Sequence, residues 1–220
     1  MRIVFYATRA RHPPALDRLT QLQDRDRYRL LHTLAAMFEL ELRGRELGPP
    51  VLLHVADGIY ELRPLCERPV RLLFFFHEEV AVVLGTLERT CGPLPIESLV
   101  RACRVRRDYE RDPQGRSHDG FAELERLGRF DAELCERIHE ERLVLQVAQA
   151  AHLFRQRARG RLPEVDSGDG LDLRTLKELE RGGVRTQAVR RLQRIAWRLE
   201  LDVRLVLVPR PRNGRRHPNR

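Results

Sequence analysis

The spacing of apolar residues changes along this chain, and the changes mark its elements. Residues 2–8 read as a short strand. After Pro13-Pro14 the spacing becomes helical, with Leu16, Leu19 and Leu22 on one face. A second helical stripe follows through Tyr28, Leu31, Leu34, Ala35, Phe38 and Leu42, and Gly44, Gly48 and Pro49-Pro50 end it. The period then drops to that of strands. Val51–Val55 and Ile59–Arg63 flank Asp57-Gly58, a strong hairpin signal. Pro69–Phe76 and Val80–Leu87 form a second pair around His77-Glu78-Glu79. Pro95 heads a helix through Ile96, Leu99, Val100, Cys103 and Arg107. Short turns between adjacent strands predict an α+β unit, with helices packed on one face of a small antiparallel sheet.

The pattern lapses over Glu110–Gly120 (ERDPQGRSHDG), a polar stretch expected to be a linker, residues 111–120 in domain terms. Beyond it the chain reads as helical, over residues 121–208. A long stretch from about Asp131 to Arg159 carries Leu134, Ile138, Leu145, Ala148, Ala151 and Phe154. After a break at Gly160–Gly170 come Leu171–Arg181, a Gly182-Gly183 stop, and a last helix over Thr186–Glu200. Leu201–Val208 alternates as a short terminal strand.

Charge adds less than the net value of +9 suggests. Residues 1–109 hold 17 arginines against 14 acids, whereas residues 209–220 hold five arginines and no acid. That Pro/Arg/Asn/Gly tail cannot bury a core and is expected to be disordered, suited to non-specific phosphate contact. Lys177 is the sole lysine. No apolar run reaches membrane-span length and the chain opens directly on a strand pattern, so a cytoplasmic protein without membrane contact is expected. Cys66, Cys91, Cys103 and Cys135 lack metal-ligand spacing and read as structural thiols. No metal or cofactor is implied.

Several ordered motifs carry a family likeness. Gly58-Ile59-Tyr60-Glu61-Leu62-Arg63 is followed by Val70-Arg71-Leu72-Leu73-Phe74-Phe75-Phe76, then Val82-Val83-Leu84, then the helix ending near Asp108-Tyr109. Over residues 1–110 this resembles the phage-derived, HigB-type branch of the RelE toxin superfamily. The resemblance implies an mRNA interferase acting on ribosome-bound message, in which an RNA 2′-hydroxyl attacks the adjacent phosphate. Fixed cations would stabilise the charge that builds on the phosphoryl oxygens. Arg63, Arg71 and Arg89 are the candidates for that role, since a guanidinium fork matches phosphate. The family's paired lysines are not retained. In their place stand Leu87-Glu88-Arg89, with a carboxylate where a cation is expected. Arginine cannot serve as a general base, so a proton acceptor would have to be His54, His77 or Tyr109.

The segment Gly170–Gly182 is similar to the recognition half of an Xre/HigA-type helix-turn-helix, with Leu176 and Leu179 facing a core. Leu162–Asp169 would stand for the supporting helix, though it is rich in Gly and acid. The resemblance implies operator DNA contacts from Arg174, Thr175 and Lys177, with Arg181 and Arg185 on the backbone. Together the two likenesses describe a toxin fold neutralised by an antitoxin-like, DNA-binding domain packed on it in the same chain, with ribosomal mRNA and operator DNA as partners. A homodimer is compatible with this reading. The alternative is a catalytically inactive regulator that keeps the toxin fold as a scaffold.

Overall fold

A computed structural model describes residues 1–88, 93–120, 122, 132–157 and 173–182. The described strands are β1 (Arg2–Tyr6), β2 (Leu52–Ala56), β3 (Ile59–Leu62), β4 (Val70–His77), β5 (Val80–Glu88) and β6 (Ser117–His118). They form one sheet in the order β2-β3-β4-β5-β1-β6. The helices are α1 (Pro14–Arg25), α2 (Arg27–Arg43), α3 (Ile96–Arg111), the single turn α4 (Pro113–Arg116), α5 (Ala132–Arg157) and α6 (Leu173–Glu180).

The middle of the sheet follows the sequence pattern. Asp57 and Gly58 take φ values of 48° and 70°, the left-handed pair that a tight two-residue hairpin demands. Through β2, β3, β4 and β5 the pairing is antiparallel. The expectation of a wholly antiparallel sheet is corrected at β1, which pairs parallel to β5 (Val4↔Val82). Two helices and a meander separate these strands in sequence, so no local signal reports their pairing.

Helices also cover both faces rather than one. On one face α1 and α2 bury Ile3, Phe5, Leu62, Leu72, Phe74 and Val83. On the other, α3 covers Val4, Ile59, Leu73, Phe75, Val82 and Leu84. The alternation of side chains along β3, β4 and β5 feeds both cores.

α2 departs from a one-stripe helix for a related reason. Leu31, Leu34 and Ala35 are buried as expected, but Tyr28 and Leu42 are half-exposed. Buried instead are Ala36, Met37, Leu40 and the polar Thr33 and Glu39. The helix lies between the sheet and α5, so two of its faces are covered. Glu39 accepts hydrogen bonds from Arg142 Nε (2.8 Å) and Gln146 Nε2 (3.1 Å) on α5, and His32 Nδ1 lies 3.1 Å from Glu141 Oε2. Leu134, Ile138 and Leu145 of α5 join the α1/α2 core. The six apolar positions expected along α5 are all buried.

The expected linker is also structured. Asp112 accepts from Gly115 N at 3.0 Å and caps α4, and Pro113 occupies its first turn. β6 then pairs antiparallel with β1 (Phe5↔His118), and Ala7 N donates to the Arg116 carbonyl at 2.7 Å. Arg116 is buried with its Nε 3.2 Å from Asp108 Oδ2, which also accepts from the Tyr6 hydroxyl at 2.7 Å. A polar composition therefore does not mean a free connector here, because its polar groups have specific partners. The Leu162–Asp169 segment, the helix over Thr186–Glu200, the terminal strand and the basic tail lie outside the described residues.

Candidate functional site

Strand register brings two of the three candidate arginines together. Glu61 pairs with Leu73 and Leu62 with Leu72, and continuing by one pair sets Arg63 across from Arg71. Both sit on the α3 face, because Arg63 follows Glu61 by two residues and Arg71 precedes Leu73 by two. Like charges directly opposite destabilise a sheet. Glu61 resolves this. Its side chain is 1% exposed, and it accepts from Arg63 Nη2 at 2.6 Å and from Arg71 Nη1 at 3.1 Å.

The result is an Arg–Glu–Arg cluster carrying one net positive charge. Arg71 is buried, whereas the Arg63 side chain is 37% exposed and commits Nη2 to Glu61. Arg63 can therefore meet an anion from solvent while the carboxylate fixes its orientation. Arg89 lies outside the described residues.

Glu61 was not singled out from the sequence. A signal was there: a carboxylate in an apolar strand, two residues before an arginine, must share that arginine's face.

Glu88 does not oppose the arginines. Its register partner is Val70, which belongs to the α1/α2 core, so it faces the other side of the sheet. There it pairs with Arg18 of α1 and, at 3.1 Å, with Arg29 Nη2 of α2. Burial pushes its carboxyl up, but the hydrogen bonds and charges of the two arginines outweigh this and hold it below the usual value. It ties the sheet to both helices.

The three candidate proton acceptors are elsewhere. His77 shares a strand with Arg71 but stands six residues along, about 20 Å at the strand rise. Tyr109 is buried against Phe75 and His77, with its hydroxyl 2.8 Å from Ser117 Oγ. His54 packs on Tyr60, which belongs to the α1/α2 face. None of the three reaches the cluster.

On α6, Leu176 and Leu179 are buried against α5, as the sequence pattern requires. Arg174, Lys177 and Arg181 are exposed and, with Glu178, line one open depression. Arg174 Nε lies 3.3 Å from Glu178 Oε1, and Thr175 is half-buried. The helix is anchored by Glu180, which accepts from Arg155 Nε at 2.5 Å and Nη2 at 3.0 Å. Gly182 stops the helix with φ at 87°, against Leu65 of the β3–β4 loop and Val144 of α5. Arg185 lies outside the described residues.

Cys66 and Cys103 are free thiols. Among the described residues, no group of three or more His, Cys, Asp or Glu is placed to hold a metal ion. No helix among them is long and apolar enough to cross a membrane.

With the cluster lying on β3 and β4, one comparison bears directly on it. Residues 17–87 match the sequence model of a family described as phage derived protein Gp49-like (DUF891). That Gp49-like family is of the RelE/HigB toxin-like type, so the toxin-like resemblance holds for this segment. The match runs from α1 to the end of β5 and includes Glu61, Arg63 and Arg71. No curated protein matches the chain.

Proposed function

We propose that the Gp49-like segment is an RNA-directed toxin domain whose phosphate site is the Glu61-held pair Arg63 and Arg71. The observation that carries this reading is the convergence of the two guanidiniums on one buried carboxylate, with Arg63 open to solvent. A preorganised cation loses little orientational freedom when a phosphate arrives, and it stabilises charge where that charge develops. In this reading α5 and α6 form the antitoxin-like part of the same chain. α5 occupies the outer face of α2, and the exposed Arg174, Lys177 and Arg181 face operator DNA. α5 packs on the side of the sheet opposite Arg63 and Arg71, so the phosphate site stays open while linkage keeps the antitoxin-like part at an effective concentration of about millimolar.

One observation favours a second reading, a non-catalytic regulator: His54, His77 and Tyr109 all lie away from the arginines. Cell-free translation separates the two. Under the toxin reading the full chain, or the chain with α5 loosened by Glu39→Ala, blocks translation and loses that effect on Arg71→Gln. Undisturbed translation with both proteins, alongside specific promoter binding, supports the regulator.

A further inference from the structure

α3 carries five arginines in its last eleven residues, and they divide sharply. Arg106 turns inward: it bonds Glu110 Oε1 at 2.8 Å, donates to the Asp57 carbonyl and lies over the Phe75 ring. Arg101, Arg104, Arg107 and Arg111 are exposed. Their spacing of three, three and four residues sets them on one outward stripe, about 15 Å long at the helical rise. Among the described residues none of the four has a carboxylate at ion-pair distance. Asp108 is engaged with Tyr6 and Arg116, and Glu110 with Arg106, while Glu97, one turn before Arg101, offsets one charge at the start of the stripe.

Such a stripe does not serve folding. Like charges three and four residues apart destabilise a helix, and only the last turn gains from the helix dipole. A polyanion lying along the helix would relieve that repulsion. With no aromatic side chain among the stripe positions, the contact suits a phosphate backbone rather than stacked bases.

We propose that this outer face of α3 is a docking surface for the sugar–phosphate backbone of single-stranded RNA. The choice of RNA rests on the proposed reading of the Arg63/Arg71 cluster. α3 packs on the same face of the sheet as that cluster. The C-terminal half of α3 lies over the Phe75–His77 end of β4 through Arg106 and Tyr109, on the strand that also carries Arg71. A strand held at Arg63 continues along Arg101 to Arg111.

The test is binding of the full chain to an unstructured RNA oligonucleotide across a salt series. The comparison variant carries Arg→Gln at positions 101, 104, 107 and 111. Losing four phosphate contacts should lower the slope of log K against log salt by about 3 and weaken low-salt binding about tenfold or more. Gln keeps helix propensity, so the thermal midpoint should hold or rise. If the quadruple variant fails to fold, the singles Arg104→Gln and Arg107→Gln should each remove about a quarter of the slope change. Unchanged slope and affinity overturn the proposal, as does a loss seen with duplex DNA but not with RNA. If the variant loses RNA binding while the wild type cleaves no RNA, the docking surface stands and the cleavage reading falls.

Discussion

Arg71 donates to Glu61 at 3.1 Å with both side chains buried, and this pair orients the more exposed Arg63 on the other carboxylate oxygen. A buried ion pair is costly to break, because the partner left behind has neither water nor countercharge. Glu61→Gln would leave two guanidiniums facing each other across adjacent strands. The expected loss is about 3–5 kcal/mol, read as a fall in the denaturant midpoint. A variant as stable as wild type would mean that the cluster does not depend on its carboxylate.

Glu88 predicts a pH dependence. Its carboxyl is held below 4.5 by Arg18 and Arg29, so its contribution is complete above the unfolded value and lost as pH falls through the depressed one. Because the pair is a third exposed, about 0.5–1 kcal/mol is expected. The stability gap between wild type and Glu88→Gln should be constant from neutral pH to about 5 and should close below 4. A gap that widens in acid contradicts the assignment.

Much of this was legible in the sequence. Asp57-Gly58 marked the hairpin, Leu176 and Leu179 marked the buried side of α6, and the period-two runs marked β3 to β5. What the pattern could not report is long-range. The parallel partner of β1, the pairing of β6 with β1 and the second covered face of α2 depend on segments far apart in sequence. The same holds at the site. Arg63 and Arg71 were identifiable by motif, but the engagement of Glu88 with α1 and α2 required knowing which face it takes.

Glu39 tests the docking of α5. It is fully buried and accepts from Arg142 and Gln146. Glu39→Ala should cost about 2–3 kcal/mol and raise amide exchange across α5 more than across β4. Uniform exchange changes would mean that α5 and the sheet open as one unit.

Gly182 is a backbone requirement. At φ 87°, and with Leu65 3.2 Å from any added Cβ, Gly182→Ala should cost about 1–3 kcal/mol. Proteolysis near α6 should accelerate. A neutral substitution would show that the end of α6 is not held against the β3–β4 loop.

Action of Arg63 and Arg71 on an RNA phosphate would leave new message 5′ ends, which can be mapped during cell-free translation. With wild-type chain, new cleavage sites should appear, and Arg63→Gln at its half-exposed position, or Arg71→Gln assayed below its lowered unfolding midpoint, should each lower the cleavage rate about 10²–10³-fold. Cleavage that persists undiminished in both variants, or no cleavage by the wild type even with α5 released by Glu39→Ala, would contradict it.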